Sequence, residues 1–307
     1  MPTPEFVFHD AYEEGLKKGV MSRGTVSVVI ATYNRQSDLA VCLEHLKEQT
    51  RIPDEVIVID DGSDPEACPR IPPEGFPCFQ RIRFHRNRGN LVARNVGIAT
   101  ASGEYILSLD DDSWLVDSDG LARALDRIRT LPDAGCLALN SQSCGGGSHF
   151  PAGAPSQAVP TYVNCAALLR REAVIAAGMY AEELHFMGEE EDLSIRLYDL
   201  GYRVISCPDI LVYHAESPRN RSSSRTRLQS ERSSLMRELL RCPGAMLPYR
   251  FFRTWTAHAM YNVKKGFYFH DLRILFGLGH MLATARRGRK PVSVEAYRRW
   301  RGVSEAP

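Results

Sequence analysis

Three consecutive carboxylates, Asp110, Asp111 and Asp112, directly follow the apolar run at 105–109. Adjacent like charges repel, so such a run is costly unless a cation or hydrogen-bond donors compensate it. Hard oxygen ligands of this kind suit Mg²⁺ or Mn²⁺, which take one or two protein carboxylates and fill the remaining positions with phosphate oxygens and water. The plain alternative is a solvated acidic turn leading into a helix near Asp117. A second acidic run, Glu189-Glu190-Glu191-Asp192, opens a helical pattern. The helix dipole favours one or two acids in a first turn, but four exceed what capping needs. One of them, with its pKa raised by its neighbours, would serve as a general base toward a hydroxyl nucleophile. His214, after the apolar stretch 210–213, is either a further metal or phosphate contact or an ordinary hydrogen-bonded histidine.

Two further polar sets end apolar stretches. Asp60-Asp61-Gly62-Ser63 follows 55–59. A carboxylate there can accept from the N3–H of a uracil or thymine ring; the competing reading is an Asp-Gly turn with side-chain-to-backbone bonds. Ala31-Thr32-Tyr33-Asn34-Arg35 follows 26–30. Its backbone can hold a base or ribose, Tyr33 offers a stacking face and Arg35 a charge. Alternatively Thr32 or Asn34 only starts a helix. Arg94, early in the helical stretch 91–101, is placed to meet a diphosphate or else to lie idle on the surface.

The elements that must position these groups alternate. Residues 26–31 and 55–59 are continuous β-branched runs, the pattern of strands buried on both faces, and 81–85 and 105–109 read as further strands. Helical spacing covers 36–49, 91–101 and 121–129, while 68–79 is a proline-rich loop. Such alternation predicts a mostly parallel α/β sheet flanked by helices, with ligands bound beyond the carboxyl ends of the strands. Beyond 129 the pattern loosens. A glycine-rich loop at 145–155 is expected to be a mobile lid. A strand is expected at 162–169, helices at 171–177 and 192–200, and a strand from 204.

The chain has 307 residues, of which 44% are hydrophobic, enough for one sizeable α/β domain and a smaller region. Its net charge of +1 hides an asymmetry: residues 219–307 hold 19 Lys+Arg and 5 Asp+Glu. The body is therefore acidic and suits a cation, and the C-terminal region is basic and suits an anionic partner. Phe251, Phe252, Trp255, Tyr261, Phe267, Tyr268 and Phe269 alternate there with Arg250, Arg253, Lys264 and Lys265. The mixture predicts helices that partly pack and partly contact anionic lipid. No nucleic-acid motif is present. The eight cysteines form no C-x-x-C pair and read as idle thiols in a cytoplasmic setting. Residues 1–24 carry acids and no apolar segment, so they read as an arm and not a signal peptide.

The segments 26–35, 55–63, 93–112 and 188–204, followed by His214, resemble in that order the family 2 glycosyltransferases of the GT-A fold. The resemblance covers about residues 25–215 and divides the chain into an arm (1–24), a catalytic domain (25–218) and a basic helical region (219–307). It implies inverting transfer from a UDP- or dTDP-sugar, with Mg²⁺ or Mn²⁺, to a hydroxyl of a glycan, lipid-linked or small-molecule acceptor. The setting it implies is cell-surface polysaccharide or glycolipid assembly at the inner face of a membrane. It gives Asp61, beside Asp60, the pyrimidine, and gives Thr32 and Tyr33 the base pocket, with Ala31 and Arg35 next to them as expected nucleotide-sugar contacts. Asp112 becomes the direct metal ligand, with Asp110 and His214 near it, and Asp110 or Asp111 lies near ribose and sugar. Glu190 becomes the base, where the family usually has Asp, with Glu189 and Asp192 as alternatives. Two rivals are a nucleotidyltransferase, disfavoured because TYNR stands where a glycine-rich phosphate loop would, and a non-catalytic sugar-nucleotide-binding protein.

Overall fold

The computed structural model describes residues 23–67, 75–184, 187–216, 223–267 and 270–305. The expected arm lies outside these residues except for its last two. In chain order the elements are β1 (Val26–Thr32), α1 (Gln36–Lys47), β2 (Glu55–Asp60), β3 (Phe79–Arg83), α2 (Asn90–Thr100), β4 (Tyr105–Asp110), β5 (Ser113–Leu115), α3 (Gly120–Thr130), β6 (Ala134–Ser143), β7 (Ala167–Arg170) and α4 (Arg171–Ala176). A 3-10 turn (Glu182–Leu184) precedes α5 (Glu189–Asp199), β8 (Arg203–His214), α6 (Ser223–Arg241), α7 (Leu247–Lys265), α8 (His270–Gly288) and α9 (Val294–Glu305).

The eight strands form one sheet in the order β3-β2-β1-β4-β7-β6-β8-β5. β1 pairs in parallel with β2 and β4, and β2 with β3. β7 is antiparallel to both β4 and β6, so β6 regains the direction of β4; β8 is parallel to β6. Only β7 and β5 run against the rest. Side chains alternate between faces along a strand, and both faces here are covered. Val28, Ile30, Val56 and Val58 pack with α1 and α3, whereas Val29, Ile57 and Ile59 share the other core with α2, α5 and the C-terminal helices. That two-sided burial is why β1 and β2 are apolar without alternation.

The C-terminal helices are built into this second core. Leu235, Met236, Leu239 and Leu240 of α6, Met281 of α8, and Tyr297 and Trp300 of α9 belong to the same buried cluster as Val29 and Ile57. The Trp300 indole N–H donates to the Pro160 carbonyl at 2.8 Å.

Several expected boundaries move. The strand expected at 162–169 begins only at Ala167, because a turn closed by Ala166 N–H to Val163 O (2.9 Å) occupies its first half. The helix expected from 192 starts three residues earlier, which puts the whole acidic run in its first turn. The stretch at 145–155 is hydrogen-bonded back onto β6: Ser143 N–H donates to Gly147 O at 2.8 Å, and Phe150 N–H to Asn140 Oδ1 at 2.9 Å.

Candidate active site

Strand direction does most of the positioning. β1, β2, β4 and β8 all end at one edge of the sheet, and β7, running the other way, begins there. The polar residues after β1, β2 and β4, the end of β8 at His214, and Asn164-Cys165 ahead of β7 therefore meet. β5 tightens the join: Ser113 is the register partner of His214, and Ala215 N–H donates to Asp112 O at 2.9 Å.

The three aspartates have different surroundings. Asp112 is 1% exposed. Its carboxylate lies between the Arg35 guanidinium, 3.2 Å away, and His214 Nε2, also 3.2 Å away. Asp111 accepts from the Thr32 hydroxyl at 2.7 Å and from Arg35 at 3.1 Å. Burial nonetheless pushes its pKa up to about 7, against the pull of Arg35. Asp110 is the most open of the three and is paired with Arg94.

Asp110, Cys165 and His214 each offer one ligand atom, and the three atoms lie within 4.8 Å of one another. His214 Nδ1 is 3.6 Å from the Cys165 sulfur, and its Nε2 is 3.7 Å from Asp110. Burial opposes protonation of His214, but its bonds to Asp112 and Cys165 outweigh that, and its pKa rises to about 10. A carboxylate, an imidazole and a thiol on three elements form a set that fits a divalent cation. The thiol shifts it toward Mn²⁺ or softer ions and away from Mg²⁺. Cys165 was among the thiols read as idle in sequence; no motif marks it, and only the antiparallel entry of β7 brings it here.

The second acidic run closes the other side. Gly188, at φ +83, holds a left-handed conformation that swings the chain into α5. Asn164 then ties both candidate bases: its Nδ2 donates to Glu189 at 3.2 Å and its backbone N–H to Glu190 at 3.4 Å. Asn164 is itself held by the Tyr180 hydroxyl, which donates to its Oδ1 at 2.5 Å. Burial first, and the neighbouring Glu189 second, push Glu190 up to about 8. Glu189 is also raised by burial, and its Oε2 has no hydrogen-bond partner among the described residues. The consecutive residues Asn164 and Cys165 thus link the Glu189–Glu190 pair to the cation set.

Three expected contacts take other forms. Asp192 is fully buried between Arg196 (2.7 Å) and Arg241 (2.7 Å), and its pKa is lowered. A carboxylate held by two guanidinium groups is a poor proton acceptor, so Asp192 anchors α5 instead of serving as a base. Arg94 is 1% exposed, donating to Ser108 Oγ at 2.6 Å and to Asp110, and so presents no face to a diphosphate. Asp61 is 3% exposed, and its two oxygens accept from the Arg88 N–H at 2.7 Å and the Gly89 N–H at 3.0 Å. Asp60 accepts from Ser63 N–H at 2.9 Å. Both carboxylates therefore bond backbone amides: Asp61 those of the loop at 86–89, and Asp60 that of the turn around Gly62, whose φ is +78 and where a Cβ would come 2.4 Å from the Arg86 backbone. Ala31, Tyr33 and Arg35 remain half-buried beside them at the rim.

The sequence profile described as Glycosyl transferase family 2 matches residues 27–176. Among curated proteins, a putative glycosyltransferase EpsH of Bacillus subtilis is 36% identical over 97 residues, which is 31% of this chain and 28% of that protein. The chain thus matches less than a third of that relative's length. The fold is similar to S. aureus TarS 1-349 in complex with UDP-GlcNAc, with TM-score 0.58 and 17% identity over 85% of this chain and 79% of that one. It is also similar to the mannosyltransferase PcManGT from Pyrobaculum calidifontis in complex with GDP-Man and Mn²⁺, with TM-score 0.55 and 18% identity over 97% of this chain and 86% of that one. A sheet of this topology, with its acidic residues gathered at one carboxyl edge, agrees with both comparisons: residues 27–176 belong to the family 2 glycosyltransferases, and the fold is GT-A.

Proposed function

We propose that the protein moves a sugar from a nucleoside-diphosphate donor to an acceptor hydroxyl with inversion at the anomeric carbon. The observation that supports this reading is the Asn164-Cys165 junction, where Asn164 bonds Glu189 and Glu190 while Cys165 lies beside His214 and Asp110. Glu190 takes the acceptor proton as the oxygen forms its bond to the anomeric carbon, and the bond from that carbon to the diphosphate oxygen breaks on the opposite face. Burial and Glu189 give Glu190 the proton affinity a base requires near neutral pH. Asn164 fixes its direction, and Tyr180 fixes Asn164. Asp110, Cys165 and His214, with Asp112 beside them, are the residues that would hold a divalent cation, Mn²⁺ or Mg²⁺. When bound, such an ion offsets charge on the leaving diphosphate.

The donor is proposed to be a UDP- or dTDP-sugar seated at Ala31–Arg35. Because Asp60 and Asp61 are committed to backbone amides, the choice of base falls to that rim. The similar solved structures hold both UDP-GlcNAc and GDP-Man, so guanosine donors belong in any test. The proposed acceptor is a saccharide hydroxyl, free or lipid-linked, in cell-surface polysaccharide or glycolipid assembly on the cytoplasmic side of a membrane.

The test is a thermal-shift panel of UDP-, dTDP- and GDP-sugars with and without Mn²⁺, followed by transfer assays with Glu190→Gln and Asp112→Ala. Glu190→Gln is expected to keep donor binding and to lose transfer by at least a hundredfold. Asp112→Ala is expected to lose the Mn²⁺-dependent part of donor binding. Full turnover by Glu190→Gln removes that residue from the mechanism, and release of pyrophosphate instead of a nucleoside diphosphate replaces the reading with nucleotidyl transfer.

A further inference from the structure

The outer surface of the C-terminal helices carries a feature that the transfer chemistry does not use. α7 has two unlike sides. On one, Arg250 and Asn262 are buried, with Arg250 Nε donating to the Tyr297 hydroxyl oxygen at 3.0 Å and Asn262 Nδ2 donating to Glu231 at 3.2 Å. Phe251 and Trp255 pack against the core on that side. On the other, Tyr249, Phe252, Met260 and Val263 are 68%, 64%, 68% and 61% exposed. At 100° per residue these four fall within an arc of about 80°, and the stripe runs roughly 20 Å along the axis. α8, packed on α6 beside α7, adds Phe276 at 90% exposure and Leu282 at 43%.

Large apolar side chains left in water along one helical face mark a contact surface. Charge identifies the partner. Residues 242–294 contain nine Lys+Arg and one acidic residue, Asp271. Arg253 and Lys264 border the α7 stripe, and Arg286 and Arg287 are exposed at the end of α8. Apolar side chains bordered by long basic ones match a bilayer surface, where rings enter the acyl boundary and cationic heads reach the phosphates. A symmetric contact with a second copy would bring the same positive charge onto itself. No helix among the described residues is long and apolar enough to cross a membrane, so the contact is one of lying on the surface.

We propose that the outward face of α7 and α8 docks on a membrane surface bearing anionic lipid headgroups. The probe is vesicle flotation of the full chain, with phosphatidylcholine vesicles and with vesicles containing phosphatidylglycerol. The wild-type chain is expected to float with the anionic vesicles, at least tenfold less with the neutral ones, and less as salt rises. Phe252→Ser combined with Phe276→Ser is expected to weaken partitioning about thirtyfold or more, since each ring gives up most of its transfer free energy. Lys264→Glu combined with Arg287→Glu is expected to remove at least tenfold and to abolish the preference for anionic lipid. These side chains are exposed, so the melting curve should not move and loss of fold is separable from loss of binding. Failure of the wild-type chain to float, or equal flotation by the aromatic pair, overturns the proposal. So does a concentration-dependent dimer in light scattering that the same pair abolishes, because the face would then be a self-association surface.

Discussion

The buried pairing of Asp192 with Arg196 and Arg241 allows a quantitative prediction. All three side chains are buried: Asp192 is 0% exposed, Arg196 9% and Arg241 5%. Arg241 Nε donates to Asp192 Oδ1 at 2.7 Å, and Arg196 Nε and Nη2 reach Asp192 Oδ2 at 3.0 and 2.7 Å. Removing one partner of a buried ion pair costs about 3–5 kcal/mol when the other charge is left alone. Here Arg196 still satisfies Asp192 after Arg241→Met, so the expected loss is lower, about 2–3 kcal/mol. For a chain of this size that corresponds to about 3–5 °C in melting temperature. Because Asp192 lies two residues beyond Glu190 in the first turn of α5, loosening it also misplaces the base. A shift of about 1 Å at a reacting group costs on the order of a hundredfold. Arg241→Met should therefore lower kcat ten- to a hundredfold while leaving KM for the donor within about twofold, as read by calorimetry and steady-state transfer kinetics. Adding Asp192→Asn should cost less than the two single losses summed, by more than about 1 kcal/mol. An Arg241→Met enzyme that melts within about a degree of wild type with unchanged kcat would refute the claim that α6 holds the catalytic helix.

The pH profile should carry the signature of Glu190, whose pKa is raised to about 8: transfer increases as pH rises through that value, and this limb disappears in the residual activity of Glu190→Gln. A carboxyl whose pKa is raised on folding stabilises below its unfolded pKa and loses that contribution as pH climbs toward its folded value. Glu190→Gln should therefore melt higher than wild type at pH 8 and close to it at pH 5. Asn164→Ala removes the bonds to Glu189 and Glu190 and should cut kcat ten- to a hundredfold while donor-induced thermal shifts persist. Cys165→Ser should lower Zn²⁺ and Cd²⁺ affinity more than Mn²⁺ affinity in calorimetric titrations, and Asp110→Asn should lower all three, if the thiol and carboxylate share one ion.

What the sequence made legible follows from how local each signal is. β1 and β2 show as uninterrupted β-branched runs because both their faces are covered, and their carboxyl ends mark the site without further information. β6 does not announce itself: Ala134–Ser143 mixes glycine, alanine, cysteine and polar residues, and its strand state comes from its neighbours β7 and β8. Inside the site, adjacent residues at a strand end point to alternate sides, so the division of labour among Asp110, Asp111 and Asp112 depends on where Arg94, Thr32, Arg35 and His214 arrive. That is tertiary information. Asp61 shows the same limit: an acid at a strand end is equally suited to a nucleobase or to two backbone amides, and the loop at 86–89 decided it.

The charge asymmetry between body and C-terminal region has a partly internal origin. Arg237 pairs with Glu191, and Arg241 with Asp192, both across the contact between α6 and α5. Gln229 and Ser233 of α6 donate to the Leu184 carbonyl at 2.9 and 3.2 Å, just ahead of the acidic run. The inward basic residues thus neutralise the excess acid that a run of four carboxylates brings to one helix turn, and two of those four are spent on α6. Glu189 and Glu190 are bonded instead by Asn164, and burial raises the pKa of both against the pull of Arg94. Burial raises the first two acids of the run, while the next two, on the same helix, are paired with arginines and hold it in place. The helix Ser223–Arg241 is accordingly both a wall of the core behind β1 and β2 and the anchor of the helix turn that carries Glu190, so its removal should cost the sheet and the site together.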